Sequence, residues 1–160
     1  MTAQALDRTL TAYRIGDPDG RFPIFDAAGS KVAPGRWNTQ ASPMIYACEC
    51  YSTAMLEKLV HGSGVLPPNQ HFISITIARG VSYEVAPVAG LPGWDSFPPG
   101  VSADFGAQWW VERRSVVLIV PSVVARMERN ILINPDHPEF GLIEHSIHHP
   151  VWWDARLFGR

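Results

Sequence analysis

The feature that most constrains this fold is the way proline and glycine divide the chain into short segments. Among its 160 residues are 14 Pro and 13 Gly, and the apolar runs between them have the length of strands more often than of helices. The regular alternation of strand and helix that builds a parallel βαβ sheet is missing. The sequence therefore predicts an α+β fold with a mixed, mostly antiparallel sheet and few short helices, in one compact domain over residues 1–160.

The strongest strand signals are two apolar runs with different patterns. Residues 72–77 show the alternation of a strand with one buried face, whereas residues 116–120 are uniformly apolar, as in a fully buried strand. Shorter runs bounded by turn residues predict further strands, and stretches rich in Pro and Gly predict loops. The further strands are 12–15, 44–47, 82–85 and 131–133, with 142–147 and 151–157 as the last candidates, and the loops are 22–43 and 87–100.

Two helices are predicted, and the first carries a candidate functional residue. It begins at Ser52 or Thr53, either of which can cap it, and runs to about Val60. At 100° per residue, Glu57 falls on the border of the apolar stripe and Lys58 faces solvent. The stripe expected to be buried consists of Leu56, Leu59 and Val60.

The second predicted helix is rich in tryptophan. Ser102 or Asp104 can cap it, and it extends to about Glu112. The side chains expected on its inner face are Phe105 and Trp109, with Trp110 as a further candidate.

Charge and hydropathy exclude two classes of partner. The formal net charge is −2 and the isoelectric point is about 6.3, without any run of Lys or Arg, so nucleic-acid binding is not expected. The longest apolar run, residues 116–120, is far shorter than the roughly 20 residues of a membrane-spanning helix. The N-terminus lacks a signal-peptide pattern. We therefore expect a cytoplasmic protein that does not contact a membrane.

Cysteine and histidine do not indicate a metal site. Cys48 and Cys50 lie two residues apart at a predicted strand end, without favourable geometry for a disulfide, and are expected to be reduced thiols of no chemical role. His145, His148 and His149 have no cysteine beside them and are expected in an exposed loop or edge. No metal cofactor is predicted.

Three side chains of different chemistry occur in an order that can bring them to one cleft. Arg36 lies in a loop, Tyr46 in the next strand and Glu57 in the first helix. A guanidinium suits a diphosphate, a phenol offers a flat face with a polar tip, and a carboxylate stabilises a developing sugar cation. These groups suit a site that breaks the glycosidic bond of a dinucleotide such as NAD. Because neither G-x-G-x-x-G nor Walker A is present, a Rossmann or P-loop mode of binding is not expected.

The pattern as a whole resembles the RES-domain family, which is named for Arg, Glu and Ser residues. The resemblance covers most of the chain and depends on the joint order and spacing of several short motifs. One departure is Pro34, which stands where a second Gly often precedes the Gly-Arg pair. The motifs are Tyr13-Arg14, Gly35-Arg36-Trp37-Asn38, Tyr46, Leu56-Glu57-Lys58-Leu59 with His61, Val120-Pro121-Ser122, and 130–135 with His137-Pro138.

The resemblance implies a function and a partner. Family members look like toxins of bacterial toxin–antitoxin pairs, with a fold similar to ADP-ribosyltransferases and NAD held in a central cleft. An Xre-like, helix-turn-helix antitoxin is expected to cover that cleft. The acceptor of the ADP-ribose stays open among water, phosphate and a protein side chain, since the family includes members of each kind.

The resemblance also assigns roles to individual residues. Glu57 is expected to favour the oxocarbenium-like transition state, Arg36 to contact the diphosphate or orient Glu57, and Tyr46 to stack on nicotinamide or adenine. Arg14, together with Tyr13, is expected to supply a second contact to the dinucleotide.

The Ser of the family name has two candidates at opposite ends of one predicted strand. Ser122 follows the proline that ends the strand and can donate a hydrogen bond to Glu57 or the ligand, while Ser115 is the weaker candidate.

Simpler interpretations compete with these roles. Glu57 can pair with His61 on a helix surface, Arg36 can pack on Trp37 with its charge in water, and Tyr46 can be an ordinary strand residue. A Ser-His-Glu hydrolase is disfavoured because no G-x-S-x-G elbow surrounds any serine. The alternative from another class is a non-catalytic module that binds a nucleotide or an antitoxin.

Overall fold

The computed structural model describes residues 3–159, which contain nine strands joined in one sheet and three α-helices. The strands are β1 (Gln4–Ala5), β2 (Leu10–Gly16), β3 (Ile45–Cys48), β4 (His71–Ile77), β5 (Ser82–Val85), β6 (Val117–Pro121), β7 (Arg129–Ile133), β8 (Ile143–His145) and β9 (His149–Pro150). The helices are α1 (Ala28–Val32), α2 (Tyr51–His61) and α3 (Val101–Glu112), with 3₁₀ turns at Val88–Gly90, Phe140–Leu142 and Ala155–Phe158.

The strand order is β1-β5-β6-β7-β3-β2-β4-β8, and β9 adds a second partner to β4. Among the described residues, β5 and β6 are the one parallel pair, and the other ladders are antiparallel. The predicted α+β class with a mixed, mostly antiparallel sheet is confirmed. Within residues 3–159, no helix is both long and apolar enough to cross a bilayer.

The sheet separates apolar layers because side chains alternate along each strand. On one face, Ile45 and Ala47 of β3 belong to the main aliphatic core. On the opposite face, Cys48 packs in a cluster with α2, while Tyr46 lies against a separate cluster that includes Trp109 of α3. The two helices therefore cover neighbouring parts of one face, with the end of β3 between them.

The strands β2 and β3 separate beyond a single bridged pair, Tyr13 with Cys48. Arg14 fills the fork that this separation opens. Its Nε donates to the carbonyl of Ile24 and its NH1 to the carbonyl of Tyr46, both at 2.7 Å. The guanidinium thus ties one carbonyl of β3 and one carbonyl of the loop that follows β2 to the point where the strands separate.

The prediction of which α2 side chains are buried is wrong. Leu56 and Val60 are 42% and 55% exposed, and the fully buried residues are the smaller Thr53 and Ala54. Lys58, predicted to face solvent, is half-buried. The helix lies on the sheet by its small residues, because these let its backbone approach closely, and most of the predicted stripe points outward.

Four further details of the secondary structure differ from the predictions. The caps of α2 and α3 are Cys50 and Gly100, and neither helix has a capping side-chain hydrogen bond. The predicted loop 22–43 contains the short helix α1. The predicted strand 151–157 is largely irregular and ends in a 3₁₀ turn.

Candidate active site

Glu57 is held in place by two donors from neighbouring strands. Ser122 Oγ and Asn130 Nδ2 both donate to Glu57 Oε1 at 2.9 Å. The other oxygen, Oε2, makes no hydrogen bond within the described chain and has His61 Nε2 4.0 Å away. The glutamate side chain is 21% exposed and the histidine 76%. A pairing of Glu57 with His61 on the helix surface therefore accounts for Oε2 only. It does not account for the two hydrogen bonds that Oε1 accepts.

The register of the sheet explains how these donors meet Glu57. In β7, Asn130 is paired with Cys48 and Leu132 with Tyr46, so all four side chains lie on one face. Ser122 follows the end of β6, and its Oγ also accepts the N–H of Ala125 at 3.0 Å in the turn before β7. Because the serine is fully buried, its hydroxyl has a defined direction.

The loop before β3 is closed around the Tyr46 hydroxyl. This oxygen accepts the N–H of Trp37 at 3.0 Å and donates to Asn38 Oδ1 at 2.7 Å, and the same Oδ1 accepts the N–H of Gly35 at 2.7 Å. A Cβ on Gly35 would stand 2.7 Å from Cζ of Tyr46, so only glycine allows this approach. Burial raises the pKa of Tyr46 well above its usual range, which keeps the phenol protonated as a donor.

Arg36 reaches across to the long loop that precedes α3. Its NH1 donates to the carbonyls of Ser96 at 2.6 Å and Trp94 at 3.3 Å. The guanidinium is thus held at the edge of the loop instead of lying free in water. Its Nε and NH2 make no hydrogen bond within residues 3–159, and these two donors remain for a ligand.

The same loop is tied to the turn that carries Ser122. Arg126 in the β6–β7 turn forms an ion pair of 2.9 Å with Asp95 and lies 5.6 Å from the ring centre of Trp94. Contacts therefore run from Glu57 through this turn to the loop that holds Arg36. No hydrogen bond joins Arg36 directly to Glu57 in the described part of the chain, and these contacts link the two groups through the β6–β7 turn.

Helix α3 contacts the backbone of the loop segment that carries Arg36. Ser102 Oγ donates to the carbonyl of Arg36 at 3.0 Å. Gly106 faces the same segment so closely that a Cβ there would be 1.8 Å from the carbonyl oxygen of Trp37. The glycine is required because helix and loop backbones touch at this point.

The other predicted residues have different surroundings. Tyr13 packs edge-on against Tyr51, with ring centres 5.8 Å apart, in the cluster beneath α2. Ser115 accepts from Trp109 Nε1 at 2.8 Å and donates to the carbonyl of Val117 at 2.7 Å. Of the two serine candidates, only Ser122 contacts Glu57.

The two cysteines are free, as predicted. Burial, followed by the negative charge of Glu57, raises the pKa of Cys48 to about 12, while the charge of Arg14 opposes the rise. The hydrogen bond with Glu128 raises the pKa of Cys50. Neither thiol has the lowered pKa that a nucleophilic cysteine needs. Among residues 3–159, no group of three or more His, Cys, Asp or Glu is arranged to hold a metal ion.

Sequence reasoning missed two residues beside Glu57. The 130–135 motif does not single out Asn130, although this residue donates to the carboxylate, and its Oδ1 is buried without a hydrogen-bond partner in residues 3–159. A polar residue in phase with Leu132 on an apolar strand was the available signal. Lys58 was expected in solvent, and no signal in α2 alone indicates that it lines a pocket with Arg14.

The fold matches a known toxin–antitoxin structure. A chain of the M. tuberculosis MbcT–MbcA toxin–antitoxin complex superposes with a TM-score of 0.69 over 92% of this chain and 86% of that chain, at 15% identity. At this identity the likeness defines the α+β fold alone.

Sequence comparison then gives the family. Residues 11–154 match the family model described as the RES domain, and the chain belongs to this family. It is 44% identical over 138 residues to the Prs ADP-ribosylating toxin of Sphingobium sp. strain YBL2, covering 82% of this chain and 86% of the relative. It is also 35% identical over 115 residues to Toxin Res of Yersinia enterocolitica, covering 70% and 75%. The resemblance inferred from the motifs is confirmed.

Proposed function

We propose that this protein is the toxin of a toxin–antitoxin pair and cleaves the nicotinamide–ribose bond of NAD. The observation that carries the proposal is the Glu57 carboxylate, which has one oxygen fixed by Ser122 and Asn130 and the other without a hydrogen bond in residues 3–159, on a side chain that is 21% exposed. The naming of a 44% identical relative as an ADP-ribosylating toxin supports the same chemistry. Transfer of ADP-ribose to a protein, hydrolysis and phosphorolysis all begin with this bond.

The chemical step assigns each group a task. The bond between ribose C1′ and the nicotinamide nitrogen breaks, its electron pair leaves with nicotinamide, and the ribose passes through an oxocarbenium-like state. The carboxylate of Glu57 favours that positive charge. The acceptor then bonds to C1′ and releases its proton. Ser122 and Asn130 act as positioning residues, because they hold Glu57 without touching the reacting atoms.

Arg36 and Tyr46 suit the rest of the dinucleotide. Arg36 has two unused donor nitrogens at a fixed place, which fits a diphosphate better than a mobile surface arginine would. The half-buried ring of Tyr46 lies on the same sheet face as Asn130, which contacts Glu57, and its hydroxyl accepts the N–H of Trp37, the residue after Arg36. The ring offers a surface for stacking. We therefore assign Arg36 and Tyr46 to substrate binding beside the catalytic Glu57.

Release of free nicotinamide tests the proposal directly. Protein freed of any antitoxin should release nicotinamide from NAD, whereas a module that only binds nucleotide would not. Mass spectrometry of a reaction containing NAD, phosphate and cell lysate then identifies the acceptor, because ADP-ribose, a phosphorylated ADP-ribose and a modified protein differ in mass. Absence of both nicotinamide and any ADP-ribose adduct would contradict the enzymatic function.

The two serine candidates give a matched test of the site. Ser122→Ala is expected to lower kcat for nicotinamide release about 10- to 100-fold, since a hydrogen bond to a charged group contributes about 1.5–3 kcal/mol. Ser115→Ala should mainly lower thermal stability, because its hydroxyl serves Trp109 and the backbone. Ser122→Thr, which keeps the hydroxyl, should restore part of kcat. A larger loss of kcat per folded molecule in Ser115→Ala would contradict the assignment.

An antitoxin is the partner that we propose, and α2 offers it a surface. Leu56 and Val60 are exposed on the helix that carries Glu57, and exposed apolar side chains beside a cleft are typical of an interaction site. The match to a chain of a toxin–antitoxin complex supports a partner of this kind. We further propose that it is an Xre-like protein that covers the cleft.

A charge placed on this surface should weaken the complex. Val60→Glu is expected to raise the Kd for the antitoxin at least tenfold, because the complex would bury an unpaired carboxylate. Val111→Glu, at a valine 69% exposed on α3, is the matched control. Calorimetric titration of the antitoxin into each variant measures the effect, and equal affinities for Val60→Glu and the wild type would contradict this surface.

A further inference from the structure

An ion pair joins the loop that holds Arg36 to the turn between β6 and β7. Arg126 of the turn places NH1 2.9 Å from Asp95 Oδ2, and the two side chains are 57% and 39% exposed. Asp95 lies between Trp94 and Ser96, whose carbonyls both accept from Arg36 NH1. The same loop segment therefore carries a carboxylate and fixes the guanidinium that we assign to the dinucleotide.

Arg126 is fixed by more than this ion pair. Its Nε donates to the carbonyl of Val123 at 3.0 Å, and its guanidinium carbon lies 5.6 Å from the ring centre of Trp94. An isolated exposed ion pair contributes little, because two long side chains lose conformational freedom when they form it. The two additional contacts already restrict Arg126, so the arginine is a well-placed partner for Asp95.

Asp95 is influenced by two arginines but pairs with one of them. Within residues 3–159, its carboxylate lies within 4.0 Å of Arg126 and of no other cationic side chain. The hydrogen bond from Arg126 lowers the pKa of Asp95, and the positive charge of Arg36 lowers it further. Asp95 is therefore ionised at neutral pH and near enough to Arg36 for the two charges to interact.

We propose that Arg126 is a positioning residue that holds Asp95 away from Arg36 and so leaves Nε and NH2 of Arg36 free for the substrate phosphates. Without Arg126, the carboxylate can turn to Arg36 and form a bidentate pair with those two donors. If it stays unpaired, its negative charge repels the phosphates instead. Both effects weaken binding of an anionic dinucleotide, and the proposal rests on the proposed function for the identity of that ligand.

Removal of each partner separates this role from a purely structural one. Arg126→Ala should raise the Kd for ADP-ribose, measured by calorimetric titration, and the KM for NAD by about three- to tenfold. The value of kcat should stay within about twofold of the wild type, because Glu57 keeps its two donors. Asp95→Asn removes the competing carboxylate, so it should leave the Kd and the KM no higher than in the wild type.

The double variant is the decisive measurement. When Arg126→Ala and Asp95→Asn are combined, the Kd and the KM should return to within about twofold of the wild type, since the second substitution removes the group that Arg126 controls. If the double variant binds as weakly as Arg126→Ala, Arg126 does not act through Asp95 and the proposal is overturned. The same follows if Asp95→Asn alone weakens binding as much as Arg126→Ala, because the ion pair would then only tie the two segments together.

A second exposed ion pair supplies the matched control. Arg113 lies 3.0 Å from Asp136, with side chains 55% and 53% exposed. It follows the C-terminal end of α3, whereas Ser102, which contacts Arg36, lies near the beginning of that helix. Arg113→Ala should leave the Kd and the KM unchanged. An equal rise in Arg113→Ala would show a general effect of lost surface charge and would overturn the role of Arg126.

The two readouts keep this role distinct from the proposed function. Affinity for ADP-ribose does not depend on catalysis, so recovery of the Kd in the double variant would support the role of Arg126 even in a protein that releases no nicotinamide. Nicotinamide release by the wild type, with a Kd and a KM that Arg126→Ala leaves unchanged, would keep the NAD reaction and overturn the role of Arg126. A wild type that neither binds ADP-ribose nor consumes NAD would overturn both.

Discussion

Glu57→Gln is expected to slow nicotinamide release from NAD at least about a hundredfold, with the fold unchanged. Removing one preorganised group that stabilises transition-state charge costs roughly 10²–10³ in kcat. Glutamine keeps an oxygen that accepts from Ser122 and Asn130, so the substitution removes the charge and retains the shape. Single-turnover release of nicotinamide measures the effect, and expression in cells should no longer arrest growth.

Glu144→Gln provides the matched control for this substitution. Glu144 is exposed on β8, so loss of its charge should leave the rate within about twofold of the wild type. Thermal unfolding of both variants checks that the fold is retained. A Glu57→Gln variant that consumes NAD at the wild-type rate would remove Glu57 from the mechanism.

Trp109→Ala is expected to have the largest effect on stability. The Trp109 side chain is completely buried in the cluster that α3 forms with the sheet, and its Nε1 donates to Ser115. Truncation of a buried aromatic side chain to alanine costs about 3–5 kcal/mol. That loss is a large part of the total stability of a domain of this size. Because α3 supports the Arg36 loop, NAD consumption should fall together with the folded fraction.

Trp152→Ala is the comparison that isolates burial from residue type. Trp152 is 79% exposed, so the same truncation should change the free energy of unfolding by less than about 0.5 kcal/mol. Urea unfolding of both variants gives the two values. Equal losses would show that α3 does not stabilise the fold through Trp109.

Local patterns predicted the elements better than they predicted the faces of those elements. Alternation placed β4 correctly, and a uniformly apolar run placed β6. On α2 the same reasoning located the helix but selected the wrong face, because Leu56 and Val60 point outward. A helix buries the side that fits its neighbours, and here small residues allow the closest approach to the sheet.

The partners of each candidate residue could not be inferred locally. Ser122 and Asn130 reach Glu57 from two strands that are distant from α2 in sequence, and strand register decides which side chains face it. Tyr46 was predicted to offer its ring to a ligand, but the interaction of its hydroxyl with the Trp37 and Asn38 loop depends on how that loop folds back.

The amino-acid sequence alone determined the fold class, the family and the identity of the residues with suitable chemistry, since these follow from short-range periodicity and from motifs of fixed spacing. Tertiary structure decided which serine meets Glu57, which face of α2 is exposed, and that Lys58 and Arg14 share a pocket. The physical reason is that charge and hydrogen-bonding capacity belong to single residues. Burial and proximity arise only when segments far apart in the chain pack together.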